Sequence, residues 1–254
     1  ALLTSWFSVD PMSDKYPSLS PYNYCAWNPI RYVDPNGDSV RLVGSSEAKA
    51  LAIMHVRWRN EYDIQNGYGR KRFEIYEENG ILHTKGNPRG KFQKHMFEII
   101  NSTSVDIEAH VFMQSEINNN SHYKHADIGS FAGANYMEDS KGGHSVSTFY
   151  FNLSKAQDVE ENTRKFTDAQ RDYPRTYKIG GELIWHELSE CFYAGTSAIL
   201  NKSNTLPQTI NGFGGVVQSS EGYVKAHDYA SKYFCGEVNT ENRLCNPNGY
   251  PLSY

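Results

Sequence analysis

The chain has 254 residues, 39% of them hydrophobic, enough to bury a core either as one large domain or as a domain with an appended segment. A formal net charge of -4 and a pI near 6.2 argue against a general electrostatic grip on nucleic acid, and no apolar run approaches the ~20 residues of a membrane-spanning helix. Four cysteines without Cys-x-x-Cys spacing argue against a disulfide-built scaffold and a structural zinc knuckle.

The N-terminus ALLTSWFSVD lacks the basic-then-apolar layout of a signal peptide, and a start at Ala1 reads as a piece cut from a longer protein. Residues 1–39 hold Pro11, Pro17, Pro21, Pro29 and Pro35 among many Tyr, Ser and Asn, without helical or strand periodicity, so an extended or turn-rich segment is expected. Its elements Val9-Asp10-Pro11, Tyr16-Pro17, Ser20-Pro21-Tyr22, Asn28-Pro29-Ile30 and Asp34-Pro35-Asn36-Gly37 resemble the end of the Rhs/YD-repeat core in large polymorphic toxins, especially those of Bacteroidetes. The resemblance implies that residues 1–39 are the C-terminal remnant of a β-shell that encapsulates a toxin, and that 40–254 are the toxin domain. It further implies a secreted effector delivered into target cells by a type VI route, with the Rhs shell of the parent chain and a cognate immunity protein as partners. Asp10 and Asp34 stand where the self-cleaving aspartates of some members fall. Met12-Ser13 replaces the expected Gly after Pro11, and Asp38 follows Gly37, so a boundary linker rather than self-cleavage is expected.

From Val40 onward the pattern is that of an α+β domain. SSEAKALAIMHVRWRNEY, 45–62, places apolar residues at helical spacing behind a Ser cap, and RFEIYEENGILHTKG, 72–86, alternates around Asn79-Gly80 like a β-hairpin. The short basic run Arg70-Lys71-Arg72 reads as a solvated turn. A second helix is expected over 90–101 and strands over 104–113 and 145–152. The Asn/Ser/His/Gly-rich stretch 116–145 reads as a loop; His122, His125 and Asp127 within it are a lesser metal-binding candidate. Cys235 and Cys245 flank a polar loop and stand either as a bridge or as free thiols.

The chemistry concentrates in LIWHELSECF, residues 183–192. Gly180-Gly181 before it and Gly195 after it are expected to delimit a helix over 182–194, the last glycine acting as a left-handed stop. Ile184, Leu188 and Cys191 form one apolar stripe; Leu183, His186, Glu190 and Tyr193 form another. Positions i and i+4 project from one side of a helix, so His186 and Glu190 can point at one object. An interior imidazole and carboxylate are costly unless paired, and a divalent cation is the strongest partner. Glu187 directly follows the first ligand, the position of the general base in His-Glu-x-x-His helices, while Glu190 stands where the second His of that pattern would be. A catalytic zinc takes three protein ligands and leaves a position for water. The third candidate lies in SEGYVKAHDYASKYF, 220–234, where Tyr223, His227, Ala230 and Phe234 share a face behind Ser220. Asp228 is either an acceptor for a ligand imidazole or an exposed helix charge.

The run Gly-Gly-x-Leu-x-x-His-Glu-Leu-x-Glu followed by Ala-His-Asp-Tyr-Ala resembles the zincin-type metallopeptidase domains that follow Rhs cores. That resemblance implies His186, Glu190 and His227 as ligands of one catalytic zinc, Glu187 as base, and a protein or peptide substrate hydrolysed through metal-activated water. Glu190 in place of His makes the donor set harder and more anionic, which leaves room for other divalent metals. Two alternatives stand beside this reading: a catalytically silent binding domain in which the same residues form a structural polar cluster, and a metal-dependent hydrolase of a non-peptide bond. A serine or cysteine nucleophile is not expected, because Cys191 faces the core and the sequence has no Gly-x-Ser-x-Gly elbow.

Overall fold

The computed structural model describes residues 39–119, 128–138, 143–164, 179–207, 209–210, 216–218 and 221–234. The chain divides into two units, Ala1–Gly37 and Asp38–Tyr254, and every described residue belongs to the second. The Rhs-like segment, the His122/His125/Asp127 group, Ser220 and the Cys235–Cys245 pair therefore lie outside the described residues.

The second unit begins with strand β1 (Val40–Val43) and helix α1 (Ser46–Gln65). Ser45 caps α1 as its sequence suggests, its hydroxyl accepting the Ala48 N–H at 3.2 Å. Strands β2 (Glu74–Glu78) and β3 (Ile81–Lys85) form the expected hairpin, with Asn79 and Gly80 at φ of 56° and 86°, the left-handed pair that a two-residue turn demands. Arg70, Lys71 and Arg72 are exposed ahead of it. Helix α2 (Gly90–Ile100) and strand β4 (Val105–Phe112) follow, then a short 3-10 turn at Gln114–Asn119. Strand β5 (Gly129–Met137) occupies part of the stretch read from sequence as loop. Strand β6 (His144–Asn152) runs into helix α3 (Leu153–Arg164), whose first turn is capped by Asn152 Oδ1 accepting from Lys155 N at 3.1 Å. Helix α4 (Ile179–Asn201), a short ribbon of β7 (Thr209–Ile210) and β8 (Val216–Gln218), and helix α5 (Glu221–Ser231) complete the order.

The six-stranded sheet has the order β2-β3-β1-β4-β6-β5, with β1, β4 and β6 parallel and the remaining pairs antiparallel. This mixed sheet with five helices among the described residues is an α+β arrangement. Alternation decides its faces: Val105, Ile107, Ala109 and Val111 of β4 are buried, while Asp106, Glu108 and His110 lie on the other side. The buried face joins Val40, Leu42, Ile75, Leu82, Phe149 and Phe151 to residues of α1, α2, α3 and α4 in one core. No described helix is long and apolar enough to cross a membrane.

Helix α4 differs from the expected 182–194 segment. It spans 23 residues and runs through all three glycines, so Gly195 is not a stop. The physical reason is close packing. A Cβ on Gly195 would lie 2.6 Å from Ser145 Oγ and from Val105 Cγ1, one on Gly180 2.6 Å from the His55 ring, and one on Gly181 2.5 Å from the Trp58 ring. The glycines let α4 sink onto the sheet and against α1, where Ser147 Oγ donates to the Cys191 carbonyl at 2.8 Å. Its N-terminus is held by α3, Glu160 Oε1 accepting the Gly180 N–H at 2.9 Å. Arg59 of α1 reaches α4 through a buried ion pair with Glu182 and pairs with Asp63 at 3.3 Å, its guanidinium 4.2 Å from the Phe92 ring centroid.

Candidate metal centre

Ile184, Leu188 and Cys191 are fully buried, as the apolar stripe predicts, and Trp185 beside them is buried too, its indole N–H donating to the Val56 carbonyl at 3.0 Å. With core on one side and α5 on the other, the imidazole and carboxylate of the second stripe are buried, His186 at 1% exposed and Glu190 at 2%, while Tyr193 is half-buried. Helix α5 lies along this stripe and brings His227, half-buried, to both.

Three donor atoms converge. His186 Nε2 is 3.3 Å from His227 Nδ1 and 3.4 Å from Glu190 Oε2, and His227 Nδ1 is 3.4 Å from the same oxygen. These three sides are nearly equal. Bonds of ~2.0–2.1 Å in a tetrahedral zinc site require ligand atoms ~3.3–3.4 Å apart, so the triangle already has the dimensions of one tetrahedral face. The same spacing is long for charge-assisted hydrogen bonds, whose N···O distances run ~2.7–2.9 Å. A cluster that satisfied itself would close further. The cluster can hold a metal ion, and it is the one group of three or more candidate ligands found among the described residues.

The ring of His186 is fixed from behind. Its Nδ1 lies 2.9 Å from the Phe234 carbonyl oxygen, which can only accept, so Nδ1 carries the proton and Nε2 presents its lone pair to the triangle. Phe234 is buried against Trp185 and Phe92, and thus the end of the α5 segment supplies the orienting oxygen while its middle supplies His227. Tyr223, one turn before His227, stacks on that imidazole with centroids 6.2 Å apart and packs at a tilt against Phe131 of β5 at 5.6 Å. Asp228 is exposed, which matches the plain helix-charge alternative.

Glu187 behaves differently from Glu190. It is half-buried as a residue, but its Oε2 is sealed and has no hydrogen-bond partner among the described residues. Burial pushes its carboxyl well above the ordinary range, and the Glu190 charge adds to the effect. For Glu190, burial also acts upward, but hydrogen bonds and charge from His186 and His227 outweigh it and hold the carboxyl below its ordinary value. One helix turn thus carries a carboxylate kept ionised beside two imidazoles and a second carboxyl biased toward holding a proton. Cys191 is buried, with its thiol pushed up by burial and by Glu187 and Glu190, which removes it as a nucleophile.

The structure therefore brings together His186, Glu190 and His227 and sets Glu187 on the adjoining turn. Two contributors escaped the sequence reading: the Phe234 carbonyl, which no side-chain pattern announces, and Gly129 of β5, which packs against Glu187. No family model, curated protein or solved structure matches the chain.

Proposed function

We propose that the chain is a zinc-dependent peptidase effector toxin, built on a zincin-like active-site helix and carried by an Rhs parent whose core ends in residues 1–39. The observation that carries this reading is the near-equilateral His186–Glu190–His227 triangle with the Glu187 carboxyl outside it on the adjoining turn. Two imidazoles and one carboxylate form a donor set of catalytic zinc sites. A structural polar cluster has no use for Glu187.

A bound zinc supplies a Lewis acid that polarises a carbonyl and eases ionisation of water near neutral pH. The chain's own residues do the rest. His186, locked by the Phe234 carbonyl, and His227, stacked on Tyr223, hold their nitrogens in place, and Glu190 contributes the anionic oxygen. Glu187 takes the proton of the attacking water as the new C–O bond forms and gives it to the amine as the C–N bond breaks. A carboxylate on the turn beside the ligands is placed to serve both transfers, first as base and then as acid. The peptide substrate belongs to this proposal through the likeness of the His186–Glu190 helix to those of zincin-type peptidases.

The immunity protein, the type VI route and action inside a target cell belong to this proposal through the Rhs-like wording of residues 1–39. Expressing the chain in bacterial cytosol and periplasm, with and without Glu187→Gln, tests it. Growth arrest in one compartment that Glu187→Gln abolishes is expected; equal growth in all four cultures overturns the toxin reading.

A further inference from the structure

Gly129 opens β5, pairs with Phe151 of β6, and follows Ile128, whose carbonyl accepts the Asn152 N–H at 2.7 Å. Its backbone needs no glycine, because its φ is outside the left-handed region. Glycine inside a strand is destabilising relative to alanine, so its presence calls for a close approach by something else. That something is the catalytic carboxyl. A Cβ on Gly129 would stand 2.2 Å from Glu187 Oε1, 2.5 Å from Cδ and 2.7 Å from Cγ. The helical glycines of α4 make room for packing side chains of α1 and the sheet; Gly129 makes room for Glu187 alone among its three nearest neighbours.

We propose that Gly129 is a positioning residue: by lacking a side chain it creates the slot between β5 and α4 in which the Glu187 carboxyl sits. The inference rests on Glu187 being the base of the proposed reaction. The slot has a floor, since Glu187 Oε2 is sealed from solvent. A methyl group at Gly129 evicts the carboxyl, since the three heavy atoms nearest to it all belong to Glu187.

The test is a double-mutant cycle on the full chain with two readouts besides growth. Gly129→Ala should keep zinc affinity within about threefold of wild type by titration with zinc alone, and should abolish growth arrest as Glu187→Gln does. It should lower the thermal midpoint by roughly 2–4 °C, the low end for overpacking, because the displaced atoms are the far end of a flexible side chain. In a Glu187→Ala background the same substitution should cost no more than about 1 °C, because the methyl then fills vacated space. If Gly129→Ala alone does not fold, recovery of folding by Glu187→Ala carries the same meaning. Equal midpoint shifts in both backgrounds, failure of both variants to fold, loss of zinc, or growth arrest that persists in Gly129→Ala would each overturn the proposal. Failure of the underlying reading shows elsewhere: Glu187→Gln would still arrest growth, whatever the coupling.

Discussion

At His95 the protein buries another imidazole, this one with no role at the metal centre. Its Nε2 lies 3.1 Å from Ser189 Oγ on α4 and its ring stacks on Tyr233 at 3.8 Å, so the side chain joins α2, α4 and the α5 segment. Burial, with the nearby Lys91 charge, lowers its pKa from 6.5 to about 4. Between those values the unfolded chain binds the proton and the folded chain does not. Its contribution to stability is therefore complete above pH 6.5 and is lost as the pH falls toward 4, by up to about 3 kcal/mol. Chelated wild type should lose more of its thermal midpoint between pH 7 and pH 4.5 than chelated His95→Phe, since the two proteins differ only in this buried imidazole; parallel losses would mean that His95 is protonated in the fold. At this scale the candidate ligands were readable because a side chain four positions away shares a helix face, which pairs His186 with Glu190, and because His227 interrupts an apolar face. The Phe234 carbonyl and the Gly129 slot were not readable, since each is a contact between segments distant in the chain, made by backbone or by absent atoms.

Among elements, α4 organises the molecule, and it is also where local rules misled. Glycines at both ends of a hydrophobic run resemble punctuation, yet in α4 they are contact points, because tertiary packing outweighs their poor helix propensity. Gly195→Ala gains about 1 kcal/mol of propensity but forces a methyl into Ser145 Oγ and Val105 Cγ1, so a net destabilisation of about 1–2 kcal/mol is expected from denaturant melts. A stabilised variant would show that α4 does not press on the sheet there. Strand β5 was hidden for a related reason: GSFAGANYM is built of small residues, with an irregular register at Phe131/Gly133, because it lies beside α4. The β2–β3 hairpin, by contrast, was legible from its Asn-Gly turn, and α1 from its Ser cap, since both depend on local chemistry.

For the whole molecule, the second unit should stand without the first. Residues 1–37 are proline-rich and lack a periodic apolar face, which is poor material for a core. Ser39 must be kept: it is buried, its carbonyl accepts from Ile107 N at 2.7 Å, and its hydroxyl donates to the Ile100 carbonyl. A chain starting at Asp38 should melt within a few degrees of the full chain and bind zinc equally, whereas loss of cooperative melting would place part of the core upstream. The candidate metal centre is itself a whole-molecule device, because α4 supplies two donors, α5 the third, and the residues just after α5 the oxygen behind His186. Zinc titration of wild type, Glu187→Gln and Glu190→Ala, each prepared without chelator, tests this most directly. One zinc per chain in wild type and Glu187→Gln, with affinity at least tenfold weaker in Glu190→Ala, is the expected result, because only the last removes a ligand oxygen. Equal zinc in all three proteins, or none in wild type, would contradict it.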